Sequence, residues 1–277
     1  MQKVSFKNNA LESQFSQEGY VLIKDFIDLQ KVEKLRKVYF KYHIERREDL
    51  MWNTLYHIPV EESKKVSSYI LKLLNDELQS LFEEFRAPLA TIMSKCAMVP
   101  KGLDTPHRDY SVADEDEVEY RNIWIPLVDI AFHNGPMMVI PGSHKYPHAT
   151  LPVMGKCSYR DYHEELKDRF TEPIFMNSGD LLVYADRTIH AGLPNYSAHE
   201  RPVVHFGILP KSAKLYYFSS NRSEEGKVDK FEIPDDWYLK ARDFNNPPLE
   251  NAKFIGTYDD DRSKIEKFLN NLNLVNV

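Results

Sequence analysis

The chain has 277 residues, 42% of them hydrophobic and 12% aromatic, with a formal net charge of -6 and a pI near 6.0. That is enough apolar chain for one full core, and the acidic balance speaks against nucleic acid as a partner, because neutralising phosphates needs a basic surface. Cys96 and Cys157 have neither metal nor redox spacing, the first twenty residues hold no apolar leader region, and no run of about 18 apolar residues could span a bilayer, so the expectation is a soluble cytoplasmic protein with no membrane partner.

In chain order, "YVLIKDF" (20–26) follows Gly19 and is rich in branched and aromatic residues, which predicts a strand. Asp28 is placed to cap a helix in which Val32, Leu35, Val38, Tyr39 and Tyr42 recur at helical spacing. Val66, Tyr69, Ile70, Leu73 and Leu74 mark a second helical face and "DELQSLFEEF" a third; each reads as a packing face. From about residue 89 the texture changes to short apolar runs, among them "RNIWIPLVDI", "PMMVIPG", "GDLLVYA" and "RPVVHFGIL", separated by Pro, Gly, Asn and Asp. That is the rhythm of an antiparallel sandwich or small barrel. Beyond about residue 221, "IPDDWYLKARDFNNPPLE" reads as an irregular cover, and "SKIEKFLNNLNLV" puts Ile265, Phe268, Leu269 and Leu272 on one helical face. The expectation is a mainly β fold in a single domain over 1–277. Its β core runs over about 89–220, with an N-terminal helical cover (1–88) and a C-terminal extension (221–277) that includes a helical segment.

The chemistry begins at "DTPHRDY". His107 and Asp109 are two apart, so on an extended segment both side chains point to one side and can meet one ion. Pro106 biases Thr105 toward that extended geometry. H-x-D alone is a weak signal. His190, after the apolar run "GDLLVYA", supplies a third donor. Two histidines and one carboxylate form the facial triad of non-haem iron(II) oxygenases, which leaves coordination positions open. Zinc on the same ligands is a competing reading, although nothing here supplies the general base of a zinc hydrolase. Arg201 opens "RPVVHFGIL" and offers a bidentate fork for the far carboxylate of a 2-oxo dicarboxylate that chelates the ion with its other end. A non-catalytic binding barrel would have no need of the triad and Arg201 together.

The collinear order H-x-D, W-x-P-L, N-G-P, P-G-S-H, G-D, H-x-G-x-P-N, R resembles the phytanoyl-CoA dioxygenase family of iron(II)/2-oxoglutarate oxygenases. Here these are His107 and Asp109, Trp124 to Leu127, Asn134 to Pro136, Pro141 to His144, Gly179 and Asp180, His190 to Asn195, and Arg201. The resemblance implies a double-stranded β-helix, with His107, Asp109 and His190 holding iron, Arg201 anchoring 2-oxoglutarate and Trp124 beside the same cosubstrate. It implies hydroxylation of an unactivated C–H bond of a small molecule, with 2-oxoglutarate and O2 converted to succinate and CO2. Asp109 argues against halogenation, since halogenating relatives carry a small residue at that position. The resemblance also raises Lys95 as a further contact, although it reads more simply as a strand-edge lysine facing solvent. One departure is Gly192, where some members carry serine; a hydrogen bond to 2-oxoglutarate then comes from elsewhere or is missing.

The remaining polar residues read more plainly. His144 fixes a turn, and His133, His148, His163, His199 and His205 are ordinary surface or core residues. Gly135 and Gly142 suit tight turns. Arg108 points away from the ion by alternation, and Arg187 reads as pairing with Asp180 or Asp186, the alternative being that it projects into the cavity toward a substrate anion. The acidic run from Asp114 to Glu119 reads as a mobile solvated loop. A sharper alternative makes it a lid whose charge draws in a cationic or amino-acid-like substrate and repels a coenzyme A thioester.

Overall fold

The structure, a computed structural model, describes residues 1–43, 51–99, 103–146, 150–153, 155, 162–244, 247–259, 269–270 and 272. In chain order, β1 (Gln2–Lys3) leads to α1 (Asn9–Glu18), β2 (Tyr20–Ile23), α2 (Leu29–Tyr42) and β3 (Met51–Asn53). Then come α3 (Val60–Leu73), α4 (Asn75–Leu81), β4 (Phe85–Arg86), β5 (Thr91–Lys95), β6 (Leu103–His107), β7 (Val118–Glu119) and β8 (Arg121–Pro126). After β9 (Met137–Val139) follow α5 (His163–Phe170), β10 (Glu172–Ile174), β11 (Leu181–Ala185), β12 (His190–Gly192) and β13 (Arg201–Pro210). The last elements are β14 (Leu215–Ser220), β15 (Lys227–Ile233), α6 (Trp237–Lys240) and β16 (Lys253–Asp259). The fold is mainly β with helices packed on it.

A seven-stranded sheet, β2-β11-β8-β13-β5-β3 with β4 paired to the end of β13, is antiparallel throughout. Its central strands β8, β11 and β13 are buried on both faces, so they read in sequence as apolar runs rather than alternating ones. Alternation still sorts the side chains. Ile123 and Ile125, Leu181 and Val183, and Val204, Phe206 and Ile208 join Val32, Leu35, Val66 and Ile70 of the helices in one cluster. Trp124, Leu182, Tyr184 and Val203 point the other way and pack against Met137, Val139 and Ile174 of a four-stranded sheet, β10-β9-β12-β6. The candidate site lies between these two sheets.

Asp28 caps α2 as its sequence predicts, its carboxylate accepting from the Lys31 N–H at 2.7 Å. The sequence reading assigns no helix before Tyr20, yet α1 is capped by Asn8 and ends at Gly19 in the left-handed region (φ 78°). Gly19 is also needed for space, because a Cβ there would lie 2.3 Å from His144 Nδ1. Tyr69, expected on the α3 face, is exposed; Ser63 and Ser67 are buried instead. The Ala90 N–H donates to Ser67 Oγ at 2.9 Å, so the backbone comes too close for a large side chain. The third helix stops at Leu81, and Phe85–Arg86 pairs with β13 instead.

The extension expected to be irregular and helical instead supplies two strands, β15 and β16, which pair with β14 of the expected core in a three-stranded antiparallel sheet. Its polarity hid it. Lys230 of β15 is buried by its stem, lies 4.2 Å from the centre of the Tyr216 ring and pairs with Asp114. Of the expected terminal helix face, Ile265 and Phe268 fall outside the described residues, while Leu269 and Leu272 pack with Ile140, Leu166 and Ile189.

Arg121 of β8 ties α1 to the sheet. It is fully buried, lies 4.6 Å from the Phe6 ring centre and 4.0 Å from that of Phe15, and donates to Glu12 Oε2 at 2.9 Å. Burial alone would raise the Glu12 carboxyl, but Lys3, the Phe6 N–H and Arg121 outweigh it and hold the pKa below the ordinary value. The stability this supplies is therefore present above the ordinary carboxylate pKa and is lost as pH falls through the lowered one. Glu12→Gln should cost about 2 kcal/mol in urea unfolding at pH 7, a buried-pair penalty reduced for Glu12's partial exposure. The difference from wild type should shrink on acidification.

Candidate metal centre

Strands β6 and β12 are antiparallel neighbours, and their register sets His190 directly opposite His107. The two ring centroids are 4.6 Å apart. Asp109 follows β6 and brings Oδ1 to 3.9 Å from His190 Nε2. Candidate ligand atoms from His107, Asp109 and His190 all lie within 4.8 Å of one another. Each imidazole is oriented by its own backbone: His107 Nδ1 is 2.8 Å from the Thr105 carbonyl and His190 Nδ1 is 3.0 Å from that of Thr188. With Nδ1–H donated there, the Nε2 lone pair is left for an ion, the usual arrangement for metal-binding histidine.

Two residues of the larger sheet close the site. Tyr184 Oη is 3.1 Å from His205 Nε2 and donates to Asp109 Oδ2 at 3.5 Å. The spacing of 201, 203 and 205 along β13 could have revealed His205, which sequence reading left as an ordinary residue; Tyr184 stood unremarked inside "GDLLVYA". Burial lowers the His205 pKa against the opposing pull of Asp109, and burial with His190 lowers that of His107. Burial would raise Asp109, but His190, His205 and His107 outweigh it and keep the carboxylate ionised. Neutral imidazole and anionic carboxylate are the states in which these groups bind a divalent cation, and this nitrogen and oxygen set suits ferrous iron.

Arg201 faces the same cleft. It is buried, donates to the Gly135 carbonyl at 2.5 Å and lies 5.2 Å from the centre of the Trp124 ring. Gly135 makes that approach possible: its φ is 81°, and a Cβ there would lie 2.2 Å from the Leu193 carbonyl oxygen. Arg201 Nε has no hydrogen-bond partner, no carboxylate pairs with this guanidinium among the described residues, and burial lowers its pKa to about 10. A buried cation without a protein counter-ion is a place for an anionic ligand.

Lys95 sits across from Arg201 in β5. It is buried and donates to the carbonyls of Gly192, at 2.6 Å, and Leu193. The solvent-facing expectation fails because β5 is an interior strand, between β13 and β3. A Cβ at Gly192 would meet Lys95 Nζ at 3.0 Å, so the ammonium occupies the space beside the missing side chain.

The acidic run is not a free loop. Glu115 is buried, accepts from Arg108 Nη1 at 2.6 Å and from Ser111, and its carbonyl takes a hydrogen bond from Arg187. Asp114 pairs with Lys230. Arg108 supports this loop and Arg187 also serves it, rather than Asp180, which Lys24 holds at 2.8 Å. His144 stays in its turn, its pKa lowered to about 4 by burial. His133 and His199 are exposed, and His148 lies outside the described residues.

A family model described as phytanoyl-CoA dioxygenase (PhyH) matches residues 15–203. Comparison with curated protein sequences gives no match. Among solved structures, HygX from Streptomyces hygroscopicus with nickel, 2-oxoglutarate and hygromycin B bound is 14% identical, covering 74% of this chain and 88% of that one, with a TM-score of 0.54. The epimerase SnoN in complex with Fe3+, alpha ketoglutarate and nogalamycin RO is 17% identical, covering 90% and 96%, with a TM-score of 0.55. EvdO2 from Micromonospora carbonacea var. aurantiaca complexed with 2-oxoglutarate is 15% identical, covering 76% and 94%, with a TM-score of 0.51. These likenesses concern the fold. Among the described residues no helix is long and apolar enough to cross a membrane.

The unpaired guanidinium makes a prediction that needs no assay of activity. Arg201→Met should stabilise the ligand-free protein by about 1–2 kcal/mol, because it removes an uncompensated buried charge. A lower thermal midpoint for the variant would mean that the protein itself compensates Arg201.

Proposed function

The chain belongs to the phytanoyl-CoA dioxygenase family, and we propose that it is an iron(II)- and 2-oxoglutarate-dependent oxygenase hydroxylating a C–H bond of a small molecule. Iron(II), 2-oxoglutarate and O2 are the metal and cosubstrates of the family. The observation that carries the reading is the convergence of His107, Asp109 and His190 beside a buried guanidinium that no described carboxylate neutralises. We read the two facing sheets as a double-stranded β-helix and the whole chain as one domain built on it, a soluble cytoplasmic enzyme.

His107, Asp109 and His190 would hold the iron. When bound, ferrous iron supplies open coordination positions at which a 2-oxo acid and O2 react, coupling oxidative decarboxylation to C–H oxidation. The rest is the work of this chain's side chains. The Thr105 and Thr188 carbonyls fix the imidazole tautomers, and Tyr184 steadies Asp109 through Oδ2. Arg201 takes the far carboxylate of 2-oxoglutarate, braced by Trp124 and the Gly135 carbonyl. Lys95 adds a second positive charge beside Gly192 in place of the serine of other members. Asp109 fills the position that a halide would need.

A zinc hydrolase would need a free general base, and among the described residues His205, the further histidine of the site, has its Nε2 engaged by Tyr184. A binding module would gain nothing from a buried guanidinium poised beside three metal donors. Of the acidic run on which the cationic-substrate reading rests, Asp114 and Glu115 are already neutralised by Lys230 and Arg108, which favours an uncharged substrate over a cationic one.

Anaerobic addition of iron(II) and 2-oxoglutarate should produce a weak visible band near 500 nm (an order-of-magnitude expectation for a 2-oxo acid chelating ferrous iron), and admission of air should release succinate. No band and no succinate would sink the proposal. A product that gains an oxygen atom separates hydroxylation from an epimerising outcome of the SnoN kind. His107→Ala, Asp109→Ala and His190→Ala should each abolish the band, whereas Arg201→Ala should retain iron and raise the 2-oxoglutarate requirement by about a hundredfold.

Tyr184→Phe removes only the hydroxyl that braces Asp109. It should weaken iron(II) binding about tenfold, the usual scale for an outer hydrogen bond to a ligand, measured by competition with a chelator.

A further inference from the structure

Side chains on the cleft face of β13 follow one another as Arg201, Val203, His205, Gly207 and Leu209. Arg201 marks the cosubstrate end and His205 the metal. Beyond His205, the Gly207 end opens into a cavity of about 410 Å³ that also touches Asp109. A pocket that begins at a metal ligand, opposite the cosubstrate anchor, is where a substrate C–H bond would enter.

Its chemistry is distinctive. No lysine or arginine lines it among the described residues, and Asp109 is the one carboxylate on its lining. The walls are aromatic: Tyr110 lies 6.2 Å from Tyr238 and 6.3 Å from Phe244 between ring centroids, and Tyr56 meets Phe244 edge-on at 5.8 Å. Several lining hydroxyls are already used. Tyr238 donates to the Tyr216 carbonyl at 2.8 Å, Tyr120 to the Tyr110 carbonyl at 3.4 Å, and Thr91 meets Thr54 at 2.9 Å.

Asn122 differs. It stands on β8 between Gly207 and Tyr184, is 4% exposed, and its Nδ2 has no hydrogen-bond partner. A buried amide left unmatched carries a desolvation cost that a ligand can relieve. Gly207 keeps the floor beside it open, since a Cβ there would reach Tyr120 and Asn122 only at 3.7 and 3.9 Å.

Resting on the oxygenase reading, we infer that the substrate is an uncharged, largely apolar ring compound bearing a hydroxyl or carbonyl oxygen, and that the Asn122 amide selects it by hydrogen-bonding that oxygen. Flat apolar faces match the aromatic walls. A hydroxyl or carbonyl can accept from the amide, and neither brings a charge that the lining cannot balance. A coenzyme A thioester would bring phosphates to a pocket with no lysine or arginine among its described lining residues. Arg242, whose terminal nitrogens lack partners, lies near Tyr56 but is not on the lining.

The test uses the full chain loaded anaerobically with iron(II) and 2-oxoglutarate, with calorimetric binding of five probes on one skeleton: tetralin, 2-tetralone, 2-hydroxytetralin, 2-aminotetralin and tetralin-2-carboxylate. The ketone and alcohol should bind about tenfold tighter than tetralin, the scale of one hydrogen bond made in a buried site. In Asn122→Leu that ratio should collapse toward one. Gly207→Val should weaken all five probes by filling the floor, with the 500 nm band and the thermal midpoint reporting that each variant is folded. Preference for the amine, preference for the carboxylate (which would make Arg242 the anchor), an unchanged ratio in Asn122→Leu, or no ring binding while the band forms would each overturn this assignment. Ring binding without a band would instead overturn the oxygenase reading and leave the pocket's selectivity standing.

Discussion

Burial of the central sheet on both faces is the constraint on which everything else rests. Because β8, β11 and β13 have helices on one side and the smaller sheet on the other, each residue along them is committed to one of two interiors. A one-residue slip in β13 would put His205 where Phe206 packs and Arg201 where Pro202 lies, pushing polar groups toward the helical core. The same register that protects the core therefore aligns Arg201, His205 and Gly207 along one line in the cleft. Structure and site are selected by a single alternation.

The molecule handles its buried charges in three ways. Arg121 is matched by Glu12 and by two aromatic faces, so it acts as a structural rivet. Arg108 and Glu115 neutralise one another inside the loop after His107 and Asp109 and hold it in place. Arg201 is matched by a carbonyl and a ring but by no described carboxylate. Leaving that charge uncompensated costs stability in the free protein and becomes an advantage only when an anion arrives.

The geometry of the candidate metal donors shows a similar economy. His107 and His190 face each other because β6 and β12 pair in register, and each ring is steered by a carbonyl of its own chain segment. Asp109 lies just past the strand, where it is free of the sheet hydrogen bonds and can turn toward His190, Tyr184 and His205. A rigid pair of histidines and a braced carboxylate suit an ion that must keep some of its positions open.

The sequence by itself determined the candidate ligands, the guanidinium and the β texture of the middle of the chain, because those signals are local: residue type, two-residue alternation and turn residues. It also carried the α2 cap at Asp28 and, unread, the α1 cap at Asn8. Tertiary structure alone decided which side chains meet. Tyr184, His205 and Asn122 become partners or pocket walls only when β11, β8 and β13 lie side by side, and spacing within one strand says nothing about its neighbours. Glu115 looks solvated in the sequence and is buried in the fold because Arg108, next to the ligands, and Arg187, next to His190, both reach it. Lys95 looks like an edge lysine until β3 covers its strand. Strands β15 and β16 were hidden for a related reason: β16 lies mostly exposed to solvent, and in β15 the stem of Lys230 does the work of an apolar side chain.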